Sequence, residues 1–261
     1  MAELATVDFN ADLGESFGLW RRGADEALMA VISSANVACG FHAGDPAVMR
    51  ATLETARRRG VAVGAHPGLP DLLGFGRRAM AVSPREVRDY VLYQVGALDA
   101  FVRATGLRLH HVKPHGALYT MALDDAHLSR AIVEAIGEYD PQLPLYTLAG
   151  SETWHAAEAA GIRPVAEFFA DRPLRADGTV IMFDWQRYLQ PSPEVVAARV
   201  RSLLTQGVVE SIEGPPVQVH AETICIHADT PGAAEIGPAV RTAIASAGWQ
   251  VSGELLAATR G

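Results

Sequence analysis

Three histidines in this sequence lie close to glycine at points where a β-rich run ends. His42 stands in Gly-Phe-His-Ala-Gly, His66 in Gly-Ala-His-Pro-Gly and His115 in Lys-Pro-His-Gly. Glycine allows a backbone to approach a ligand closely, and histidine can bind a divalent metal or transfer a proton near neutral pH. The three segments therefore predict a metal site or a general acid–base site.

Carboxylates, an amide and two cations follow or end runs of the same kind. Asp12 and the other carboxylates suit metal binding or general acid–base catalysis beside imidazoles. Lys113 and Arg172 supply positive charge for a substrate carboxylate, a phosphate or a developing oxyanion. The candidate residues of this kind are Asn10, Asp12, Glu15, Lys113, Glu167, Asp171, Arg172, His227 and Asp229.

Some polar residues also have a structural explanation. Asp45 directly precedes Pro46, which predicts the N-cap of a helix. Asp229 precedes Thr-Pro, so a turn or cap explains it as well as a functional role does. His110 and His111 are adjacent in a predicted strand and must point to opposite faces, so at least one of them belongs to the core or the surface.

β-rich runs alternate with helical patterns along the chain, which predicts parallel strands joined by crossover helices. Helix signals include a capping box that begins at Ser83 and a glycine, Gly60, that ends the helix after Asp45. The run 179–185 is compatible with an extra strand or a hairpin. The predicted strands are Thr6–Asn10, Ser34–Cys39, Val61–Ala65, Leu107–Lys113, Leu143–Leu148, Pro164–Phe169 and Thr223–His227.

Seven such runs in 261 residues are close to what an α/β barrel requires. In that architecture the reacting groups gather at the carboxyl ends of the strands, where the candidate residues fall. No linker or composition shift divides the chain. We therefore predict a single barrel domain over residues 1–261, with the candidate residues at its mouth.

Composition excludes several classes of protein. A formal net charge of −8 argues against a phosphate-backbone surface, and no stretch reaches the roughly 18 apolar residues that a membrane span needs. The two cysteines, Cys39 and Cys225, lie in apolar runs and are interpreted as small buried residues of a protein from a reducing compartment, the cytoplasm. Nucleotide-binding glycine loops and a serine elbow are missing from the sequence.

Six segments together resemble the LamB/YcsF family, and the resemblance extends over nearly the whole chain. They read NADLGE at 10–15, SANVACGFHAGDP at 34–46, GAHPG at 64–68, GFGRR at 74–78, VKPHGALY at 112–119 and FADR at 169–172. The resemblance implies a divergent (β/α) barrel related to the glycoside hydrolase/deacetylase group. It also brings Asn36 and Arg77 into the candidate site as residues that bind substrate or phosphate.

The resemblance implies a function as well. The expected activity is ATP-dependent opening of the lactam 5-oxoproline to L-glutamate, with ATP and Mg²⁺ as cofactor and with partner subunits B and C. Asp12, His42 and His66 fall near the position where deacetylase relatives hold a divalent metal. The chain lacks the His-x-x-x-His spacing of those relatives. Self-association into a homo-oligomer stays open.

The chain departs from the family pattern at two places. One is Pro173–Phe183, where an arginine of the usual pattern is missing, and the other is Ala228, where the family has glycine. Both changes could alter substrate choice or the docking of a partner. Two alternatives therefore remain: a stand-alone metal-dependent amidohydrolase or deacetylase, and a non-catalytic subunit that binds a small carboxylic acid.

Overall fold

The computed structural model describes residues 5–254, which form ten strands and eight α-helices. The strands are β1 (Ala5–Leu13), β2 (Ser34–Ala38), β3 (Ala62–His66), β4 (Leu109–Val112), β5 (Leu145–Thr147), β6 (Pro164–Phe169), β7 (Val208–Val209), β8 (Val217–Gln218), β9 (Thr223–His227) and β10 (Trp249–Val251). The helices are α1 (Asp25–Met29), α2 (Pro46–Arg59), α3 (Pro84–Ala104), α4 (Gly116–Leu123), α5 (Ala126–Tyr139), α6 (Glu152–Ala159), α7 (Pro193–Gln206) and α8 (Ala233–Ser246).

Seven parallel strands close into a barrel in the order β1 to β6 followed by β9, which pairs back with β1. The closure is visible in the register of β1, where Asn10 lies opposite Ser34 of β2 on one side and Cys225 of β9 on the other. All seven predicted strands are present, and the predicted barrel with about seven parallel strands is confirmed.

Local signals fix where the helices begin and end. The Asp45 carboxylate accepts hydrogen bonds from the Ala47 and Val48 backbone amides, so it caps α2 as predicted. Ser83 and Glu86 form the predicted capping box of α3. Since α2 and α3 are anchored by these caps, the loops that lead into them from β2 and β3 are held in place at the barrel mouth.

The interior of the barrel is polar. Along β1, Phe9 and Ala11 pack in the apolar core, whereas the alternate residues Asp8, Asn10 and Asp12 are buried among polar side chains of other strands. Burying polar groups costs free energy unless they are hydrogen-bonded. The apolar core between strands and helices thus stabilises the fold, and the polar side chains that could take part in a reaction lie in the barrel interior.

The structure differs from the sequence-based expectation in four places. Residues 179–185 form neither a strand nor a hairpin, because Val180 makes only an isolated bridge to Leu174 and a 3₁₀ turn starts at Trp185. The β7–β8 hairpin and β10 were not predicted. Strand β1 continues to Leu13, so Asp12 lies inside the strand. Within residues 5–254, no helix is long and apolar enough to cross a membrane.

Candidate active site

The three glycine-flanked histidines meet at the mouth of the barrel and are almost fully buried. The His42 and His115 rings stack with their centroids 3.7 Å apart, and His66 lies edge-on to both. A glycine makes this packing possible, because a Cβ at Gly76 would lie 2.7 Å from the His42 Cβ. This arrangement is consistent with the prediction that the three histidine segments form one site.

Hydrogen bonds determine where two of the rings carry their protons. The His66 Nδ1 donates to the Lys113 backbone carbonyl at 2.7 Å, and the His115 Nε2 donates to the Phe75 carbonyl at 2.8 Å. Because a neutral imidazole has one N–H, the His66 Nε2 and the His115 Nδ1 then face each other at 2.9 Å as two lone pairs. Such an arrangement requires a cation or a shared proton between the two nitrogens.

Glu15 completes this cluster. Its Oε1 lies 3.6 Å from the His115 Nδ1 and 3.8 Å from the His42 Nε2. Within residues 5–254, neither this oxygen nor either ring nitrogen of His42 has a hydrogen-bond partner. Burial and the nearby Asp12 charge raise the pKa of Glu15 well above its ordinary value. Burial lowers the pKa of His42, as do the neighbouring imidazoles.

The donor set of this cluster fits a divalent metal. One ligand atom from each of Glu15, His42, His66 and His115 lies within 4.8 Å of the others. Imidazole nitrogens with a carboxylate oxygen are ligands that Zn²⁺ and similar ions bind well. A cation there would also satisfy the buried atoms that have no partner. This set differs from the predicted metal site, which consists of Asp12, His42 and His66. In the structure the potential ligand atoms of Asp12, Cys225 and His227 form a second group.

Asp12 and Lys113 form a buried ion network at the centre of the barrel. The Lys113 Nζ lies 3.1 Å from the Asp12 Oδ1 and 2.8 Å from the Glu167 Oε1, and the Asp12 Oδ2 lies 3.3 Å from the His66 Nε2. Burial alone would lower the pKa of Lys113, but Asp12, Cys225 and Glu167 raise it well above its ordinary value. The ammonium is therefore charged, and its charge is balanced within the barrel.

The sequence carried a signal for this role of Lys113. The chain's 22 basic residues comprise 21 arginines and this single lysine, which is 1% exposed. A compact ammonium fits among three acceptors where a planar guanidinium would not. For Asp12, burial would raise the pKa, but His66 and Lys113 lower it well below its ordinary value. Asp12 is thus held as a carboxylate.

A fourth histidine of the site, His227, is oriented by Asp171. The His227 Nδ1 donates to the Asp171 Oδ1 at 3.0 Å, which leaves its Nε2 3.7 Å from the Asp12 Oδ2. Asp171 also accepts a hydrogen bond from the Thr230 hydroxyl and forms an ion pair with the Arg172 guanidinium at 2.9 Å. Burial would raise the pKa of Asp171, but Arg172 and His227 lower it. An ionised carboxylate that fixes an imidazole in this way can tune it for proton transfer.

Amide side chains below Asp12 hold it in position. Asn36 donates through Nδ2 to the Asp12 Oδ1 at 2.8 Å and to the Asn10 Oδ1 at 2.7 Å. The Asn36 Oδ1 accepts from the His111 Nε2 at 2.6 Å, and the His111 ring stacks on Tyr146. Of the two adjacent histidines, His111 is thus a buried interior residue.

A narrow cavity of about 10 Å³, large enough for roughly one water molecule, lies between the histidine cluster and His227. Tyr119 and Arg172 contribute to its wall, and the Tyr119 hydroxyl and the Arg172 Nε are buried without a hydrogen-bond partner in the part of the chain that the structure describes. The Arg172 guanidinium is held over the Trp185 ring at 4.4 Å. Tyr119 is not among the site residues that the sequence predicts, because a tyrosine on an apolar helix resembles a core residue. Two unused donors in one wall are suited to an anionic group.

The remaining predicted residues lie at the edge of the cavity. Arg77 makes a two-pronged ion pair with Asp229, at 2.9 Å and 3.2 Å, and Arg22 contacts the same carboxylate at 2.6 Å. Burial would raise the pKa of Asp229, but Arg77 lowers it. Asp229 therefore links two arginines and is not a helix cap.

The buried cysteines behave as predicted. Burial raises the pKa of Cys39 to about 12 and also raises that of Cys225, so neither is a reactive thiolate. The Cys225 sulfur instead lies 3.0 Å from the Lys113 Nζ and helps to enclose it.

Fold and site together define a class of protein: a seven-stranded parallel (β/α) barrel with histidines and carboxylates gathered at the carboxyl ends of its strands. The chain belongs to the LamB/YcsF family, whose model matches residues 7–258. It is similar to the A subunit of 5-oxoprolinase from Tolumonas auensis, at 50% identity over 95% of this chain and 99% of the relative.

Two further comparisons agree. The A subunit of 5-oxoprolinase from Heliobacterium modesticaldum is 48% identical over 94% of this chain and 96% of the relative. The solved structure of the lactam utilization protein from Thermus thermophilus superposes with a TM-score of 0.90 at 47% identity. That comparison covers 95% of this chain and 99% of the Thermus chain.

Proposed function

We propose that this chain is the A subunit of a cytoplasmic 5-oxoprolinase and opens 5-oxoproline to L-glutamate in an ATP-dependent reaction with partner subunits B and C. The observation that carries the proposal is the cavity between a carboxylate–histidine cluster and the Asp171–His227 pair. The similarity to curated A subunits over nearly their whole length supports it.

The chemistry of the substrate explains why ATP is required. A five-membered lactam is a stabilised and nearly unstrained amide, so attack by water is slow and the closed form is favoured. Transfer of a phosphoryl group from ATP, with Mg²⁺, to the lactam oxygen creates an imidate-like carbon that water attacks readily. Water forms a C–O bond to this carbon, and the C–N bond of the ring breaks as the nitrogen takes up a proton. The acyl phosphate that results is hydrolysed by a second water to L-glutamate and inorganic phosphate.

The residues of the cavity divide this work. Asp12, held as a carboxylate by Lys113 and Asn36, takes a proton from the attacking water. His227, fixed by Asp171, gives a proton through its Nε2 to the ring nitrogen as the C–N bond breaks. Arg172 and Tyr119 bind the substrate carboxylate with the donors that have no partner among the described residues.

Glu15, His42, His66 and His115 would hold a divalent cation, which would polarise the lactam oxygen and lower the pKa of a bound water when present. Lys113 is a positioning residue in this scheme, because its charge is already balanced by Asp12 and Glu167. Its loss acts on substrate only through the carboxylates that it holds.

The test is an assay of glutamate release from 5-oxoproline by the complete assembly of this chain with its own B and C subunits. We expect release only with all three subunits and ATP, and strong loss in the variants Lys113→Met and His66→Ala. Asp125→Asn is the matched control, because Asp125 caps α5 and does not line the cavity. Full ATP-coupled activity in both site variants would contradict the proposal.

A second candidate is a stand-alone metal-dependent amidohydrolase. The observation that favours it is that the four-residue ligand set and the Asp171–His227 pair lie on this one chain. It predicts stoichiometric metal in protein purified without chelators and amide hydrolysis by the isolated chain without ATP. Elemental analysis and that assay distinguish the two candidates.

A further inference from the structure

Exposed apolar side chains are concentrated at one end of this protein. Eight large apolar side chains are exposed in the described part of the chain, and six of them belong to three loops at the barrel mouth. These six, the apolar rim, are Leu19 and Trp20 after β1, Leu72 and Leu73 after β3, and Phe183 and Tyr188 after β6. Leu19 is 97% exposed and Leu73 is 88% exposed.

Such a concentration is not what a free surface presents. Single exposed apolar residues are common and scattered, whereas a cluster on one face marks an interaction surface. Tryptophan is also among the residues that contribute most to binding when a partner covers them. The apolar rim therefore has the composition of an interface.

The apolar rim is continuous with the candidate active site. Arg22, two residues after Trp20, places its guanidinium 3.9 Å from the centroid of the Phe75 ring and so joins the first loop to the second. The carbonyl of Phe75 accepts the hydrogen bond of His115 in the histidine cluster. Phe183 of the third loop lines the cavity itself. Whatever covers the apolar rim also covers the mouth of the barrel.

Charge identifies the kind of surface that fits. Exposed arginines stand next to apolar rim residues, with Arg21 after Trp20 and Arg187 before Tyr188, although the chain as a whole carries a net charge of −8. A second copy docked face to face would bring these arginines together, which is unfavourable. An apolar surface edged by acidic residues on a different protein fits better.

We infer that the apolar rim is the docking surface for another subunit of the 5-oxoprolinase assembly, one with an apolar, acidic-edged face that closes the barrel mouth. The inference rests on the proposed function, since the partner comes from the subunit designation of the relatives. The closed mouth would shield the activated lactam from bulk solvent and keep the reacting water inside the cavity. This places the partner directly over the cavity.

The test is the affinity of this chain for its purified B and C subunits, measured by isothermal titration. We expect Leu19→Ser combined with Leu73→Ser to weaken binding of one subunit by at least about tenfold. Arg21→Glu should weaken it most at low salt. Gln142→Ser, exposed at the opposite end of the barrel, is the matched control and should bind like the wild type. Both rim residues are exposed, so unchanged melting temperatures will verify folding.

Binding of the double variant at wild-type affinity would overturn the inference. So would a dimer of this chain alone that the double variant abolishes, because the apolar rim would then join two copies. Glutamate release by the wild-type assembly is recorded in parallel. If subunits bind through the apolar rim but no glutamate forms, the proposed function fails while the docking surface stands. If glutamate forms and the rim variants bind normally, only the docking surface fails.

Discussion

Replacing Lys113 by methionine is expected to destabilise the protein strongly in a pH-dependent way. At an effective dielectric constant of about 20, the contacts of its Nζ to Asp12 and Glu167 each correspond to roughly 5 kcal/mol of attraction before desolvation. Because breaking a buried pair leaves uncompensated charge, the net loss in free energy of unfolding is about 3–5 kcal/mol near neutral pH.

The pH dependence follows from Asp12. Its pKa in the folded protein is well below its ordinary value, with burial opposing and His66 and Lys113 producing the shift. Ionisation of Asp12 therefore adds stability above the unfolded-state pKa of about 3.9, and that stability is lost as pH falls. Without Lys113 the shift shrinks, so the deficit of the variant should be constant from about pH 7 to about pH 4 and should become smaller as the pH falls from about 4 toward about 2.

Urea unfolding of wild type and Lys113→Met across this pH range measures the effect. Arg108→Met, which removes an exposed cation at the other end of the barrel, is the matched control and should change stability by less than about 0.5 kcal/mol. A Lys113→Met deficit below about 1 kcal/mol at neutral pH, or one that does not vary with pH, would refute the reasoning about the ion network.

Three further predictions follow from single contacts. Asp171→Asn should lower glutamate release by the complete assembly by about 10²-fold or more and change its pH profile, because His227 loses its orienting carboxylate; an unchanged profile would contradict this. Glu15→Gln should reduce Zn²⁺ affinity at least about tenfold by titration, and equal affinity would exclude Glu15 as a ligand. Gly76→Ala should lower stability by about 1–3 kcal/mol, since its φ is +63° and its Cβ would meet His42; an unaltered melting curve would count against that packing.

Much of the fold was predictable because its signals are local. β-rich runs such as Pro164–Phe169 and Thr223–His227 coincide with β6 and β9, and Asp45 and Ser83 begin their helices where the capping rules place them. The β7–β8 hairpin was missed because its strands have only two residues each, and periodicity needs longer runs.

The sequence indicates which residues gather at the candidate site, but not which of them contact each other. Residues at strand ends converge because a parallel barrel brings those ends together. Which of them touch depends on the closure of the barrel, which joins β1 to β9 and sets Lys113 between Asp12 and Glu167. Likewise, adjacent histidines show only that they face opposite ways, so the interior place of His111 required the strand register.

The most direct test of the central claim is glutamate release by the complete assembly carrying Asp12→Asn, with ATP hydrolysis and subunit binding followed in the same samples. Asp12 is ionised, buried and in contact with His66 and Lys113, and we propose that it takes the proton from the attacking water. We predict that the assembly forms normally and that glutamate release falls by at least about 10²-fold. Release at the wild-type rate would contradict the claim that this cavity opens the lactam.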